Sequence, residues 1–365
     1  MSFKIRFRIY ADSLGGNRLS ILKINLGNIT QNYDKVKKES VENKCELITI
    51  TKLFDSKSHI MEALISNGLD KAGDCFKENL STLPNNVKTL LLLTKLSDVK
   101  SGLINCDSIL TSDIKILEAI SEIENSNKIE IILSLELGDL RDGINPKDLV
   151  SFMKKASKIR NINLTGIGTN LGCLAGKLPD EKTFEILLDS FYNVKKEVGF
   201  EFQKISIGGT VFYDFIEQKK LPKEINQLRI GEAIFFGYNM SYRKEIPSLS
   251  QNTFIFSAEI IEIYDKFVDF DDLGYNAFGE RIKPEVTGLR KRAIADFGKL
   301  AASKKGLIPF DENIFIDAQT HNHSVIDITE SKREFKVGDF IDFKINYNSA
   351  ATIFACRSIK KQTTT

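Results

Sequence analysis

The chain has 365 residues, 42% of them apolar, a net charge of +2 and five cysteines, at 45, 75, 106, 173 and 356. That length exceeds one average domain and supplies ample core, so one large unit with a smaller companion is expected. The near-neutral charge gives no electrostatic case for nucleic acid, no run of eighteen apolar residues offers a membrane span, and scattered cysteines without a CxxC pair read as reduced thiols of a cytoplasmic protein.

The opening "MSFKIRFRIYADS" alternates Phe, Ile and Arg like a strand and lacks the apolar centre and cleavage site of a signal peptide. From residue 21 to about 237, short apolar runs alternate with amphipathic stretches. The runs are "ILKINL" (21–26), "CELITIT" (45–51), "LDKAGD" (69–74), "VKTLLLL" (87–93), "SILTS" (108–112), "IEIILSLEL" (129–137), "INLTGIGTN" (162–170) and "QKISIGG" (203–209). Between them, "KSHIMEALISNG" places Ile60, Leu64 and Ile65 on one helical face with Gly68 to end it, and "SDIKILEAISEIENS" offers Ser112 as an N-cap. Eight runs with intervening helices are the count of a (β/α)8 TIM-type barrel; an open doubly wound sheet is the alternative, but no GxGxxG follows the first strand. After residue 243, "TFIFSAEIIEIYDK", "NIFIDAQ", "HSVIDIT" and "FIDFKINYN" alternate with turn signals such as "DDLG" and "KVGD", the mark of a β-rich domain. The expected fold class is α/β: a barrel over 18–243, then a C-terminal β-rich domain over 244–365, to which residues 1–17 would add a strand.

Functional groups in such a barrel gather at the C-terminal strand ends. Here those ends carry Lys52, Arg141 in "GDLRDG", Asn170, the turn Gly208-Gly209-Thr210 and, just beyond, Arg229 and Gly231 in "LRIGEA". A lysine, two arginines, an amide and glycine-rich turns on one rim suit an anionic aldehyde cofactor. Pyridoxal phosphate fits, with its aldehyde for Lys52, its phosphate for the glycine N–H groups and its ring polar atoms for the arginines.

The same stretches resemble the alanine racemase-like family of pyridoxal phosphate enzymes, most of all its ornithine racemase branch. The matching segments are "LKINLGNITQNYDKV", "ITKLFDS", "LELGDLRDGI", "GIGTNLGCLAGKLP" and "LPKEINQLRIGEAIFFG", followed by "YNAFGE", "RKRAIADFG" and "VGDFIDFKINY", over residues 18 to 360. The resemblance implies an amino acid racemase in which Lys52 forms the Schiff base with the cofactor, Arg141 lies near the ring hydroxyl and Asn170 stands where many relatives place a ring-packing histidine. It also implies Arg229 at the pyridine nitrogen, phosphate held by Gly208, Gly209, Thr210, Gly231 and Glu232, and Tyr347 approaching the phosphate. A head-to-tail homodimer is implied too, with Lys299 of the second domain at the position of the opposite-face base. The chain departs from the pattern where Phe76 and Leu92 replace arginines, Val211 and Phe212 replace hydroxyls, and Ala301 and Asn322 replace acids.

Other residues admit two readings. His321 and His323 share one face of an expected strand, either as metal ligands or as exposed edge residues. Cys173 is a reactive thiol or a small packing residue, and Glu136 and Asp139 bracket a strand end and would position Arg141. The competing functions are a different pyridoxal phosphate reaction on the same scaffold, such as a D-amino-acid aldolase, and a non-catalytic cofactor-binding homologue.

Overall fold

The computed structural model describes residues 20–54, 56, 58–269, 274–276, 279, 281 and 286–364. The strand expected in "FKIRFRIY" and half of "YNAFGE" lie outside them. The chain divides into two compact units, Ile24–Phe254 with the C-terminal Thr363 and Thr364, and residues 20–23 with Ile255–Gln362.

The larger unit holds a closed barrel of eight parallel strands: β2 (Glu46–Ile50), β3 (Lys71–Asp74), β4 (Lys88–Leu91), β5 (Ser108–Thr111), β6 (Glu130–Leu135), β7 (Asn163–Asn170), β8 (Lys204–Gly208) and β9 (Gln227–Ile230). The eight-strand count is met, but with one exchange. The first run, β1 (Ile21–Asn25), belongs to the antiparallel sheet, pairing with strands at 254–268 and 360–364, and "QLRI" closes the barrel instead. The reason is burial on one face or two. In β1, Leu22 and Ile24 are buried while Lys23 and Asn25 are partly exposed, the alternation of an antiparallel strand with two unlike faces. In β9 all four residues are buried, Gln227 and Arg229 included, so its two polar residues hide a strand of the barrel interior.

The intervening helices follow their sequence signals. Ser58 caps the helix His59–Ser66, and Gly68 beyond it takes φ +83°. The helix Ile114–Ser121 is capped by Asp113, whose carboxylate accepts from the Lys115 N–H at 2.8 Å, rather than by Ser112. Asp180 and Thr183 form a reciprocal cap at the start of Glu181–Val198.

Two materials fill the barrel. On the β2–β6 side Ile48, Leu90, Leu110 and Ile132 form an apolar cluster, with Ile50 and Leu92 packed against it. On the β7–β9 side Ser206, Gln227 and Arg229 are buried polar groups, joined by hydrogen bonds. A hairpin of β10 (Tyr238–Asn239) and β11 (Lys244–Glu245) follows.

The smaller unit is an antiparallel sheet in the order β14 (Leu307–Pro309), β17 (Phe340–Ile345), β12 (Phe254–Val268), β13 (Gly288–Ala295), β16 (Ser324–Asp327), β15 (Phe315–Gln319), with β1 beside β12 and β18 (Lys360–Thr364) beside β1. Phe256, Phe297 and Phe343 form its aromatic core, with ring centroids 5.0, 5.7 and 6.2 Å apart. The buried Asp327 is held by Arg290 at 2.9 Å, and Asp317 by Arg292. One helix the alternating pattern conceals, Tyr347–Ala355, starts at the N-cap Asn346.

Candidate active site at the barrel mouth

Parallel ladders fix the height of each group on the barrel wall. Ile48 of β2 is the Cα partner of Arg229, Arg229 of Gly208, and Gly208 of Asn170, so these four stand in one row across adjacent strands. Lys52 follows β2 four residues beyond Ile48, at the mouth above that row. Its loop is pinned on both sides. The Thr51 N–H donates to the Gly73 carbonyl at 2.9 Å, and Phe54 packs edge-on against Phe235 at 4.6 Å. Lys52 is half-buried, and its charge acts on Asp74 and Cys75 at the end of β3. Asp74 is 1% exposed; burial pushes its carboxyl above the ordinary range, although the Phe76 N–H, Asn79 and Lys52 pull the other way. Sequence reading passed over Asp74; the signal available was an acid closing the strand "LDKAGD".

Arg229 is 4% exposed. Among the described residues no carboxylate pairs with it: one terminal nitrogen donates to the Ser206 hydroxyl and the other to the Thr169 carbonyl at 2.7 Å. Burial first, and then the nearby charge of Arg141, lowers its pKa to about 10 against the opposing charge of Asp142, so it remains a cation at neutral pH. A buried guanidinium without an acid is costly unless its remaining N–H groups have an acceptor. The glycines around it make the space: a Cβ on Gly208 would stand 2.6 Å from Nη2 and one on Gly168 3.1 Å from Nη1.

The turn after β8 begins at Gly209, whose φ of +116° suits glycine and whose Cβ would strike the Leu171 carbonyl at 2.5 Å. The Thr210 hydroxyl accepts from the Ala233 N–H at 3.0 Å, which ties this turn to the one containing Gly231 and Glu232. Val211 and Phe212 are buried, and the Phe212 ring lies 5.9 Å from that of Phe184. The Glu232 carboxyl accepts from the Met240 N–H at 3.3 Å, and burial pushes its pKa up to about 7.

The loop from Glu136 to Gly143 presents Arg141. Glu136 accepts from the N–H groups of Gly138 and Arg141, and Asp139, 3% exposed, accepts from those of Cys173 and Leu174 at 2.9 Å each. Asn170 reaches the same Asp139 carboxylate at 3.4 Å. Arg141 in turn donates to the Cys173 sulfur at 3.2 Å. The thiol therefore does have a polar neighbour, one that sequence proximity could not reveal.

Lys52, Arg141, Asn170, Gly208, Gly209, Thr210, Arg229, Gly231 and Glu232 thus converge on one end of the barrel unit. Lys299 and Tyr347 stand on the other unit: Lys299 follows Gly298 with its N–H donating to the Thr320 carbonyl at 2.9 Å, and Tyr347 is the first residue of the helix Tyr347–Ala355. His321 and His323 occupy the turn between β15 and β16, not a strand, because the Thr320 hydroxyl and N–H close a tight loop on His323. Among the described residues no group of three or more His, Cys, Asp or Glu side chains stands where it could hold a metal ion. Nor, among them, is any helix long and apolar enough to cross a membrane.

A closed parallel barrel, with a lysine at its mouth and a buried arginine that no carboxylate bonds among the described residues, joined in sequence to an antiparallel β domain, is the architecture of the alanine racemase fold. The model of the alanine racemase N-terminal domain matches residues 24–239, and the chain belongs to the alanine racemase family. A lysine racemase of Thermotoga maritima is 32% identical over 334 residues, covering 90% of this chain and 93% of that protein. An ornithine racemase of Acetoanaerobium sticklandii is 27% identical over 347 residues, covering 93% and 98%. Among solved structures, the biosynthetic alanine racemase of Pseudomonas aeruginosa superposes with a TM-score of 0.72 at 14% identity, over 95% of this chain and 100% of that one. The alanine racemase of Bartonella henselae, solved with covalently bound pyridoxal phosphate, gives 0.69 at 15% identity, over 95% and 99%.

Proposed function

We propose that this member of the family is a pyridoxal phosphate-dependent racemase that interconverts the L and D forms of a small amino acid, with lysine and ornithine the first candidates. The observation that carries the reading is Arg229, a buried cation without an acid, in the row beneath Lys52. The residues present suit the cofactor. Lys52 offers an amine, Arg229 a donor for a ring nitrogen, and the turns at Gly208-Gly209-Thr210 and Gly231-Glu232 offer backbone close to a phosphate.

When bound, pyridoxal phosphate supplies an aldehyde for an amine and a ring that takes up electron density from the substrate Cα. The protein does the rest. Lys52 Nζ would hold the cofactor and, once released from it by the substrate amine, would take a proton from one face of the substrate. Arg229 would donate a hydrogen bond to the ring nitrogen without giving up its proton, which would keep the ring a weak electron sink and favour quick reprotonation. Arg141, steadied by Asp139 and Glu136, would lie on the ring hydroxyl side, and Asn170, bonded to the same Asp139, would pack at the ring.

The opposite face is served by Lys299, and the phosphate is further met by Tyr347, both from the β domain of a second copy in a cytoplasmic homodimer. The exposed apolar residues at the barrel strand ends and loops support that assembly: Phe76, Leu93, Leu140 and Leu174 are all more than half exposed.

The test is incubation of each enantiomer of lysine, ornithine, alanine and serine in deuterated water, followed by chiral analysis. Exchange of the Cα hydrogen with inversion is expected for at least one of them. Exchange with strict retention would replace the racemase by an aldolase-like reaction, and no exchange in cofactor-loaded protein would leave a binding homologue.

A further inference from the structure

Arg229 has the charge of Asp142 near it but, among the described residues, no hydrogen-bonded acid, and its bonded neighbours lead into the barrel interior instead. Ser206 is wholly buried, and its hydroxyl both accepts from Arg229 and donates to the Gln227 side-chain carbonyl at 2.6 Å. Gln227, 2% exposed, donates through its amide nitrogen to a Glu46 oxygen at 2.6 Å. Glu46 is also met by Lys204 at 3.4 Å and Lys71 at 3.7 Å, and Lys204 bonds Glu130. The ladders place Glu46, Gln227 and Ser206 in one row across three adjacent strands, two residues below the row of Arg229.

Chemistry fixes the polarity of this row. A guanidinium only donates and a carboxylate only accepts, so the amide of Gln227 must turn its nitrogen to Glu46 and its oxygen to Ser206. The Ser206 proton then points at Gln227, leaving a lone pair for Arg229. Every donor in the chain points the same way, and each bond polarises the next.

We infer that Glu46, at the N-terminal end of its barrel strand, is the counter-ion of Arg229, acting through Gln227 and Ser206 as a hydrogen-bonded wire across the barrel interior. Glu46, Gln227 and Ser206 are positioning residues: they keep Arg229 charged and aimed, and so keep it a donor to the ring nitrogen. That last role rests on the function proposed above; the wire itself does not.

The test is the titration of the Arg229 guanidinium in the cofactor-free protein, followed by NMR of 13Cζ-labelled arginine from about pH 7 to about pH 11, with the signal identified by its loss in Arg229→Lys. Gln227→Met keeps the bulk and removes the polar link. It is expected to lower the midpoint by about one pH unit, a tenfold loss of proton affinity. Glu46→Gln is expected to shift it in the same direction, and Glu130→Gln, which touches Lys204 but lies off the wire, to leave it in place. An unchanged midpoint in folded Gln227→Met would overturn the inference. If that variant does not fold, an unchanged midpoint in Glu46→Gln would do so. An equal shift in Glu130→Gln would also overturn it, since bulk charge would then be the cause. In loaded enzyme, Gln227→Met should lower kcat and leave KM in place. Failure of wild-type protein to load cofactor would defeat the proposed function and leave the titration result standing.

Discussion

Gly208 lies directly beneath the guanidinium of Arg229: a Cβ built on Gly208 would come within 2.6 Å of Nη2 and 2.9 Å of Cζ and Nε. A glycine in the "SIGG" turn therefore serves the arginine as well as any phosphate, because the flat cation needs the strand backbone bare at that height.

Gly208→Ala should accordingly displace Arg229 while leaving the barrel standing. Overpacking of this kind costs about 1–3 kcal/mol, so urea unfolding should show a fall within that range. Activity should drop more steeply than stability, by about ten- to a hundredfold, since the arginine loses its alignment. Wild-type activity in Gly208→Ala would show that the close approach is not needed.

Glu232 makes stability depend on pH in a defined window. Its native pKa, about 7, lies above the ordinary 4.5 because burial penalises the carboxylate. The native state therefore binds more protons than the unfolded state between those values. Stability is greatest below the window and declines as pH rises through it, by roughly 3 kcal/mol at most. Unfolding of the cofactor-free protein at intervals from about pH 4 to about pH 8 should show that decline, and Glu232→Gln should flatten it. An identical slope in both proteins would remove Glu232 as the cause.

Much of this site was legible in the sequence, and the gaps have physical causes. Lys52, Asn170 and the Gly208-Gly209 turn stand at strand ends that apolar runs announce, and a parallel barrel brings such ends to one mouth. The strand "QLRI" was harder to see because half of it is polar, and it is polar because it builds the hydrogen-bonded side of the barrel interior. β1 mimicked a barrel strand because it opens the run of strand–helix alternation and is followed by a long helix, although its own alternation is that of an antiparallel strand. The contacts of Asp139 with Cys173 and Leu174 cross more than thirty residues, a pairing that only the closed barrel creates.

Lys299 should control inversion without controlling cofactor loading. Lys299→Ala is expected to keep the cofactor absorbance and to exchange the Cα hydrogen of one enantiomer, while conversion to the other falls by about a hundredfold or more. Racemisation at the wild-type rate in this variant would assign the opposite-face proton to another group.

The proposed chemistry requires Lys52 to be the residue that carries the cofactor. Borohydride reduction of pyridoxal phosphate-loaded protein, followed by peptide mapping, tests it directly. The label should sit on the peptide containing Lys52, and Lys52→Ala should take up none at the barrel mouth. Label on another lysine, or none after the wild-type protein has been supplied with cofactor, would contradict the assignment and with it the proposed chemistry.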